Sequence, residues 1–202
     1  MREEITGVIL AGGRSRRFED DKSKILLAGV PMLEWVRRGL ERHCVEVILV
    51  VARGGRHPDS DLEVWEDLVA GKGVIGGILT GLEKAKTPWI FAAGCDLPFL
   101  RQEMADLLLR SRKGGDVVVP RTDRGYEPLR AIYNKKCLPA IRRRVEQDDL
   151  KVDHFFGDVK TREIPEDQLR MADPDLISFF NINLKDDLDR AETLIREGQA
   201  IP

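Results

Sequence analysis

Two short stretches of this chain hold residues whose types and order could do chemistry on a phosphate. The first is Gly7–Pro31, GVILAGGRSRRFEDDKSKILLAGVP, where an apolar run stops at Gly12-Gly13 and is followed by Arg14, Arg16, Arg17, Lys22 and Lys24. Paired glycines let a backbone approach a ligand closely, and clustered cations suit a polyanion. Two common phosphate loops are excluded. A P-loop needs glycine before its lysine, and Asp21 precedes Lys22; a dinucleotide fingerprint needs GxGxxG, and Arg14 and Arg17 stand where glycines belong. Taken alone, the stretch reads equally well as a tight turn leading into a solvated charged loop. The second stretch is Gly94-Cys95-Asp96-Leu97-Pro98. An aspartate there is well placed to hold Mg²⁺ carried by a nucleotide, or else to cap a turn before the proline. A basic glycine loop paired with a carboxylate at a second strand end favours the phosphate reading.

Such a pair works only if a scaffold brings the two stretches together. Short β-branched runs at Ile5–Leu10, Val45–Ala52, Trp89–Gly94 and Val117–Pro120 are continuous rather than alternating, as in strands buried on both faces of a parallel sheet. Helical periodicity covers 32–43 (Leu33, Val36, Leu40), 75–86 (Ile75, Ile78, Leu79, Leu82) and 102–112 (Met104, Leu107, Leu108). Leu129–Tyr133 and Phe179–Leu184 read as further strands, and 186–197 as a closing helix. The βαβα alternation predicts a doubly wound α/β fold: a Rossmann-like three-layer α/β/α sandwich on a mostly parallel twisted sheet, forming one domain over 1–202. Ligands of such folds sit at the carboxyl ends of the strands, where both stretches begin.

Composition narrows the classes. The 202 residues include 42% hydrophobic ones, enough for a core, and 33 basic against 35 acidic side chains give a net charge of −2. That balance argues against a broad nucleic-acid footprint. Three separated cysteines, Cys44, Cys95 and Cys137, offer neither a disulfide framework nor a thiolate metal site, which fits a cytoplasmic setting. The opening MREEITGVILAGG is unlike a signal peptide, and no apolar run reaches the ~18–20 residues needed to span a bilayer.

The segment Leu10-Ala11-Gly12-Gly13-Arg14-Ser15-Arg16-Arg17-Phe18-Glu19-Asp20-Asp21-Lys22, followed by Gly29-Val30-Pro31, resembles the LAGGxSxRxxxxDK signature of molybdenum cofactor guanylyltransferases, in the GT-A-like nucleotidyltransferase superfamily. The likeness continues through Glu66-Asp67, Gly73-Val74-Ile75-Gly76-Gly77, Cys95-Asp96-Leu97-Pro98, Glu127-Pro128-Leu129 and Phe180-Asn181-Ile182-Asn183. Three positions depart from it. Phe18-Glu19 replaces the usual Met-Gly, Lys24 stands close behind Lys22, and Arg53-Gly54-Gly55 follows the second strand where many relatives carry asparagine.

The resemblance implies a nucleotidyltransferase of GT-A type that transfers GMP from GTP to molybdenum-bound molybdopterin and releases pyrophosphate. Mg²⁺ would be the cofactor, with Asp96 as its ligand. Arg17 and Lys22 would neutralise the β- and γ-phosphates. Leu10, Ala11, Gly12 and Gly13 would flank the guanine together with Gly76 and Gly77. Asp67 could accept hydrogen bonds from guanine N1–H and N2–H₂ or be an ordinary surface-loop aspartate, and Asn181 and Asn183, two apart, would share one face, where one or both hold metal-bound water or the second substrate or else pack at a sheet edge. Arg142-Arg143-Arg144 and Lys135-Lys136 are either a pterin-phosphate patch or a solvated helix face, and the triplet cannot lie on one side of a helix. Transient contact with other cofactor-biosynthesis proteins is expected, nucleic-acid and membrane partners are not. The alternative within the fold is a transferase using CTP or a sugar or alcohol phosphate. Gly13, where cytidylyltransferases usually carry LAAG, favours GTP. A silent nucleotide-binding module would have less need for the carboxylate of Asp96.

Overall fold

The apolar run Val8-Ile9-Leu10 owes its composition to its place: it lies mid-sheet, hydrogen-bonded on both edges and covered on both faces. The computed structural model describes residues 3–11, 25–54 and 60–200. Along the chain these form β1 (Glu3–Ala11), β2 (Leu26–Leu27), β3 (Val30–Pro31), α1 (Met32–Glu41), β4 (Cys44–Val51), β5 (Glu63–Glu66), α2 (Gly73–Lys84) and β6 (Trp89–Gly94). There follow α3 (Gln102–Arg110), β7 (Val117–Thr122), β8 (Gly125–Tyr126), β9 (Arg130–Asn134), α4 (Leu138–Glu146), β10 (Thr161–Pro165), α5 (Glu166–Ala172) and α6 (Lys185–Arg196).

The main sheet runs β10-β7-β9-β6-β1-β4-β5, with β8 paired to β7. All neighbours are parallel except at β9, which runs against both β6 and β7, and at the short β8. The expected α/β/α sandwich on a mostly parallel sheet is therefore what the chain forms. On one face Val8 and Leu10 pack with Ile75 and Ile78 of α2 and Ile141 of α4. On the other, Ile5 and Ile9 pack with Leu33 and Leu40 of α1, Met104 and Leu108 of α3 and Leu169 of α5. From β1 the chain passes through α1 to β4 and on to β5 on one side, then returns through α2 to β6 on the other side of β1. That makes the carboxyl end of β1 the switch point where such sheets open a crevice.

Helix α1 shows how the sequence places a helix. Its apolar positions face the sheet, while the outward side carries Glu34, Arg37, Arg38 and Glu41 in i,i+3 and i,i+4 ion pairs of 2.6–2.8 Å. Helix α2 instead approaches β1 through glycines. A methyl on Gly77 would come within 2.9 Å of Leu10 Cδ2, and one on Gly81 within 2.8 Å of Val8 Cγ1.

Phe179–Leu184 is not a strand. A 3-10 turn at Ile177–Phe179, whose Ser178 N–H donates to Asp173 Oδ2 (2.7 Å), leads into extended chain in which the Ile182 N–H donates to the Asp96 carbonyl (2.9 Å). The apolar alternation is real, since Ile182 is fully buried between exposed Asn181 and Asn183, but no ladder partner adjoins it. Ile182 belongs to a third cluster, in which Leu27, Met32, Trp35 and Phe99 pack beneath Ala191 of α6.

Candidate active site

Four strand ends put the described site residues in a row. Ala11 closes β1 in register with Val51 of β4, and Leu10 pairs with Gly94 of β6. The Val51 carbonyl accepts the Asp67 N–H (2.9 Å), and the Leu10 carbonyl accepts the Cys95 N–H (3.2 Å). From Asp67, beyond β5, to Asp96, beyond β6, the row crosses β4 and β1. With strands ~4.8 Å apart this is a span of roughly 14 Å. Leu10 and Ala11 lie at its centre. Gly12, Gly13, Arg17 and Lys22, which follow them in sequence, lie outside the described residues.

At one end, Asp67 is 9% exposed. Thr80 Oγ1 accepts the Leu68 N–H (3.0 Å) and lies 3.0 Å from the Gly76 carbonyl and 3.4 Å from Asp67 Oδ1. One hydroxyl proton thus serves two acceptors, and from it the carboxylate receives a long bond. Burial raises the Asp67 pKa above the ordinary aspartate value, opposed in part by Thr80. A carboxylate held this way in a poorly solvated place is a strong acceptor for an incoming N–H pair. Gly76 and Gly77 are buried in the first turns of α2. Gly77 has a packing reason to be glycine, the approach to Leu10, and a methyl on Gly76 would meet Lys72 Cβ at 2.8 Å.

At the other end, the turn after β6 is closed by the Leu97 N–H on the Gly94 carbonyl (3.2 Å). The half-buried Asp96 carboxylate folds back over the end of β6, with Oδ1 at 2.6 Å from where a Gly94 Cβ would stand. The Ile182 bond to Asp96 brings Asn181 and Asn183 alongside. Both asparagines border a groove of ≈ 610 Å³ with Thr122, Arg124, Arg170 and Arg190. The Asn183 and Leu184 N–H groups both donate to Oδ2 of Asp187 in the first turn of α6 (3.0 and 2.9 Å).

The basic runs lie elsewhere. Arg142 pairs with Glu83, and Arg144 with Asp149 (3.1 Å) and Asp158 (2.8 Å), so the triplet is a solvated helix face. Lys135 follows Asn134, which pairs with Trp89 at the amino end of β6, away from the row. Among the described residues no group of three or more His, Cys, Asp or Glu is placed to hold a metal.

Sequence reasoning gave no role to Arg130. Among the described residues it is one of the largest fully buried side chains, and it donates to the carbonyls of Leu97 (2.7 Å), Phe99 (2.9 Å) and Ser178 (3.0 Å). The available signal was a cation inside the apolar run Leu129–Tyr133.

Comparison with known proteins gives the chain a family. Residues 7–158 match the MobA-like NTP transferase domain. The chain is 35% identical over 199 residues to the molybdenum cofactor guanylyltransferase of Desulfosudis oleivorans, covering 98% of each. The crystal structure of molybdopterin-guanine dinucleotide biosynthesis protein A from Archaeoglobus fulgidus superposes with a TM-score of 0.80 at 29% identity, over 95% of this chain and 99% of that one. The 2-C-methyl-D-erythritol 4-phosphate cytidylyltransferase of Thermus thermophilus is more distant: its TM-score is 0.68 at 15% identity over 94% and 98% of the two chains, a likeness of fold alone. With a sheet that opens at β1, a row of strand ends between two aspartates and a match over three-quarters of its length, the chain belongs to the MobA-like NTP transferase family and is a nucleotidyltransferase.

Proposed function

We propose that this protein, acting as one domain over residues 1–202, transfers GMP from GTP to the terminal phosphate of molybdenum-bound molybdopterin and releases pyrophosphate. The observation that carries the reading is the row of strand ends. Asp67 offers a buried acceptor at one end, Asp96 an anionic ligand at the other, and Leu10 and Ala11 a backbone floor between them. An extended guanine nucleotide fits with its base at Asp67 and its phosphates toward Asp96. The full-length likeness to a guanylyltransferase supports GTP over CTP.

A single half-buried carboxylate is the donor set expected for Mg²⁺, which binds through one or two carboxylates plus substrate phosphates rather than in an all-protein cage. Asp96 would hold it, and the ion would supply charge neutralisation at the triphosphate. The protein itself needs no histidine or cysteine base. The attacking phosphate has its second pKa near ~6 and is largely dianionic at neutral pH. One of its oxygens forms a bond to the α-phosphorus while the bond from that phosphorus to the bridging oxygen breaks, and pyrophosphate departs with the electron pair. The residues' task is in-line positioning and charge compensation. Arg17 and Lys22 would neutralise the departing pyrophosphate, and Asn181 and Asn183, on the groove side of Asp96, would orient the acceptor.

Calorimetric titration with each nucleoside triphosphate in Mg²⁺ tests the assignment. GTP should bind and raise the melting temperature while CTP and ATP do not. Tighter CTP binding would overturn the guanylyl reading and leave the fold untouched.

A further inference from the structure

We propose that Arg130 is a positioning residue for binding of the metal nucleotide. Its guanidinium, spread over the carbonyls of Leu97, Phe99 and Ser178, locks the Asp96 turn to the segment carrying Asn181 and Asn183, so that both meet their ligands as one rigid piece. The inference rests on the reading above, in which Asp96 holds the metal.

The starting observation is the unfavourable place of the charge. Arg130 is 1% exposed and lies on β9 opposite Ala93 of β6. Removing a cation from water costs several kcal/mol, and apolar side chains of similar volume often serve stability as well or better. Core packing alone would be met by leucine or methionine. What an apolar residue could not do is bind three carbonyls from two separate segments. Leu97 directly follows Asp96, and Phe99 ends the same turn. Ser178 stands four residues before Ile182, whose N–H closes the circuit on the Asp96 carbonyl at 2.9 Å.

The Ser178 side of this circuit is secured independently. Its N–H donates to Asp173 Oδ2 (2.7 Å), and its Oγ accepts the Arg101 N–H (3.1 Å). Arg101 Nε lies 3.2 Å from Asp173 Oδ1. Every main-chain displacement of Asp96 relative to Asn181 therefore breaks a bond to Arg130 or to Ile182. Burial lowers the Arg130 pKa to about 10, with Asp96, Glu127 and Asp173 opposing the fall, and the group stays charged at neutral pH. Lysine would keep the charge but not the planar fork, so it cannot serve three carbonyls at once.

The test uses the full chain with GTP and Mg²⁺ as probes. Arg130→Lys should fold, and should raise by about tenfold the Mg²⁺ concentration needed for half-maximal GTP binding, the size typical of changes behind a metal ligand. GTP affinity without metal should stay the same. Arg101→Ala, which removes the Asp173 pair and a bond to the Gln199 carbonyl but no bond to Arg130, should lower the melting temperature without moving the Mg²⁺ requirement. Arg130→Lys with a wild-type Mg²⁺ requirement overturns the proposal. Should that variant fail to fold, amide exchange in the wild-type protein decides. Mg²⁺ and GTP must slow the Leu97 and Ile182 amides by a common factor, and slowing at Leu97 alone overturns the proposal. Asp96→Ala separates the two ideas: if it keeps the wild-type Mg²⁺ requirement, the metal reading falls. If it loses that requirement while Arg130→Lys keeps it, only the Arg130 inference falls.

Discussion

Gly94 is the position at which one methyl group should separate activity from stability. Its backbone is in a conformation open to alanine, so Gly94→Ala introduces no strain in the main chain. The new Cβ would stand 2.6 Å from Asp96 Oδ1, 3.3 Å from Leu129 Cδ1 and 3.5 Å from Leu97 Cδ1. Only the first of these is prohibitive, and ordinary contact begins at 3.4 Å, so the carboxylate oxygen must retreat by about 0.8 Å. It sits at the end of a rotatable side chain, and turning ~30° off a rotamer costs about 0.5–1.5 kcal/mol. For a chain of this size that lowers the melting temperature by about 1–6 °C. Against a typical total stability of about 5–15 kcal/mol, such a loss leaves nearly every molecule folded at 25 °C. Catalysis is less forgiving, since a ~1 Å misplacement of a positioned group costs about 10²-fold. Pyrophosphate release and the Mg²⁺ dependence of GTP binding, measured beside calorimetric unfolding, should show turnover down by about two orders of magnitude in a protein that is still folded. Turnover within about threefold of wild type, equivalent to well under 1 kcal/mol of barrier, would refute the placement of Asp96 at the reacting phosphates.

Other outcomes follow from the same geometry. Asp67→Asn should lose discrimination for guanine and keep or raise thermal stability at neutral pH. Burial raises the folded pKa of Asp67, so its contribution is most favourable below the unfolded pKa and is lost as pH rises through the folded one. The advantage of the amide should therefore fade in acid, and a lower melting temperature at neutral pH would contradict the account. Gly77→Ala forces a methyl to within 2.9 Å of Leu10 Cδ2 and should cost about 1–3 kcal/mol, as overpacking does, together with weaker GTP binding. Unchanged unfolding and unchanged affinity would show that α2 yields freely. Asn181→Ala should raise the KM for the acceptor while leaving GTP affinity alone, and the reverse pattern would move the asparagines to the nucleotide side.

The parts of the molecule legible in the sequence are those whose neighbours lie on both sides. β1 and β6 are continuous apolar runs because each is an inner strand, and Asp96 stood out because it follows one of them directly. The edge strands β5, EVWE, and β10, TREIP, carry exposed charge and so lack that signature. Phe179–Leu184 showed the other limit, since alternation reports which side chains are buried and not whether a ladder partner exists. The resemblance set Gly77 beside the guanine, and the structure adds its packing against Leu10. Arg130 escaped because its acceptors are backbone carbonyls 31 to 48 positions away, which no side-chain pattern reveals.

The bond between the Ile182 amide and the Asp96 carbonyl also fixes an order of events during synthesis. Asp96 leaves the ribosome 86 positions before Ile182. At ~5–20 residues per second the turn that follows β6 waits about 4–17 s for its partner. The covering of Leu27 and Trp35 by Ile182 and Ala191 arrives equally late. The nascent chain thus completes its central parallel strands well before the segment carrying Asn181 and Asn183 can close on the Asp96 turn.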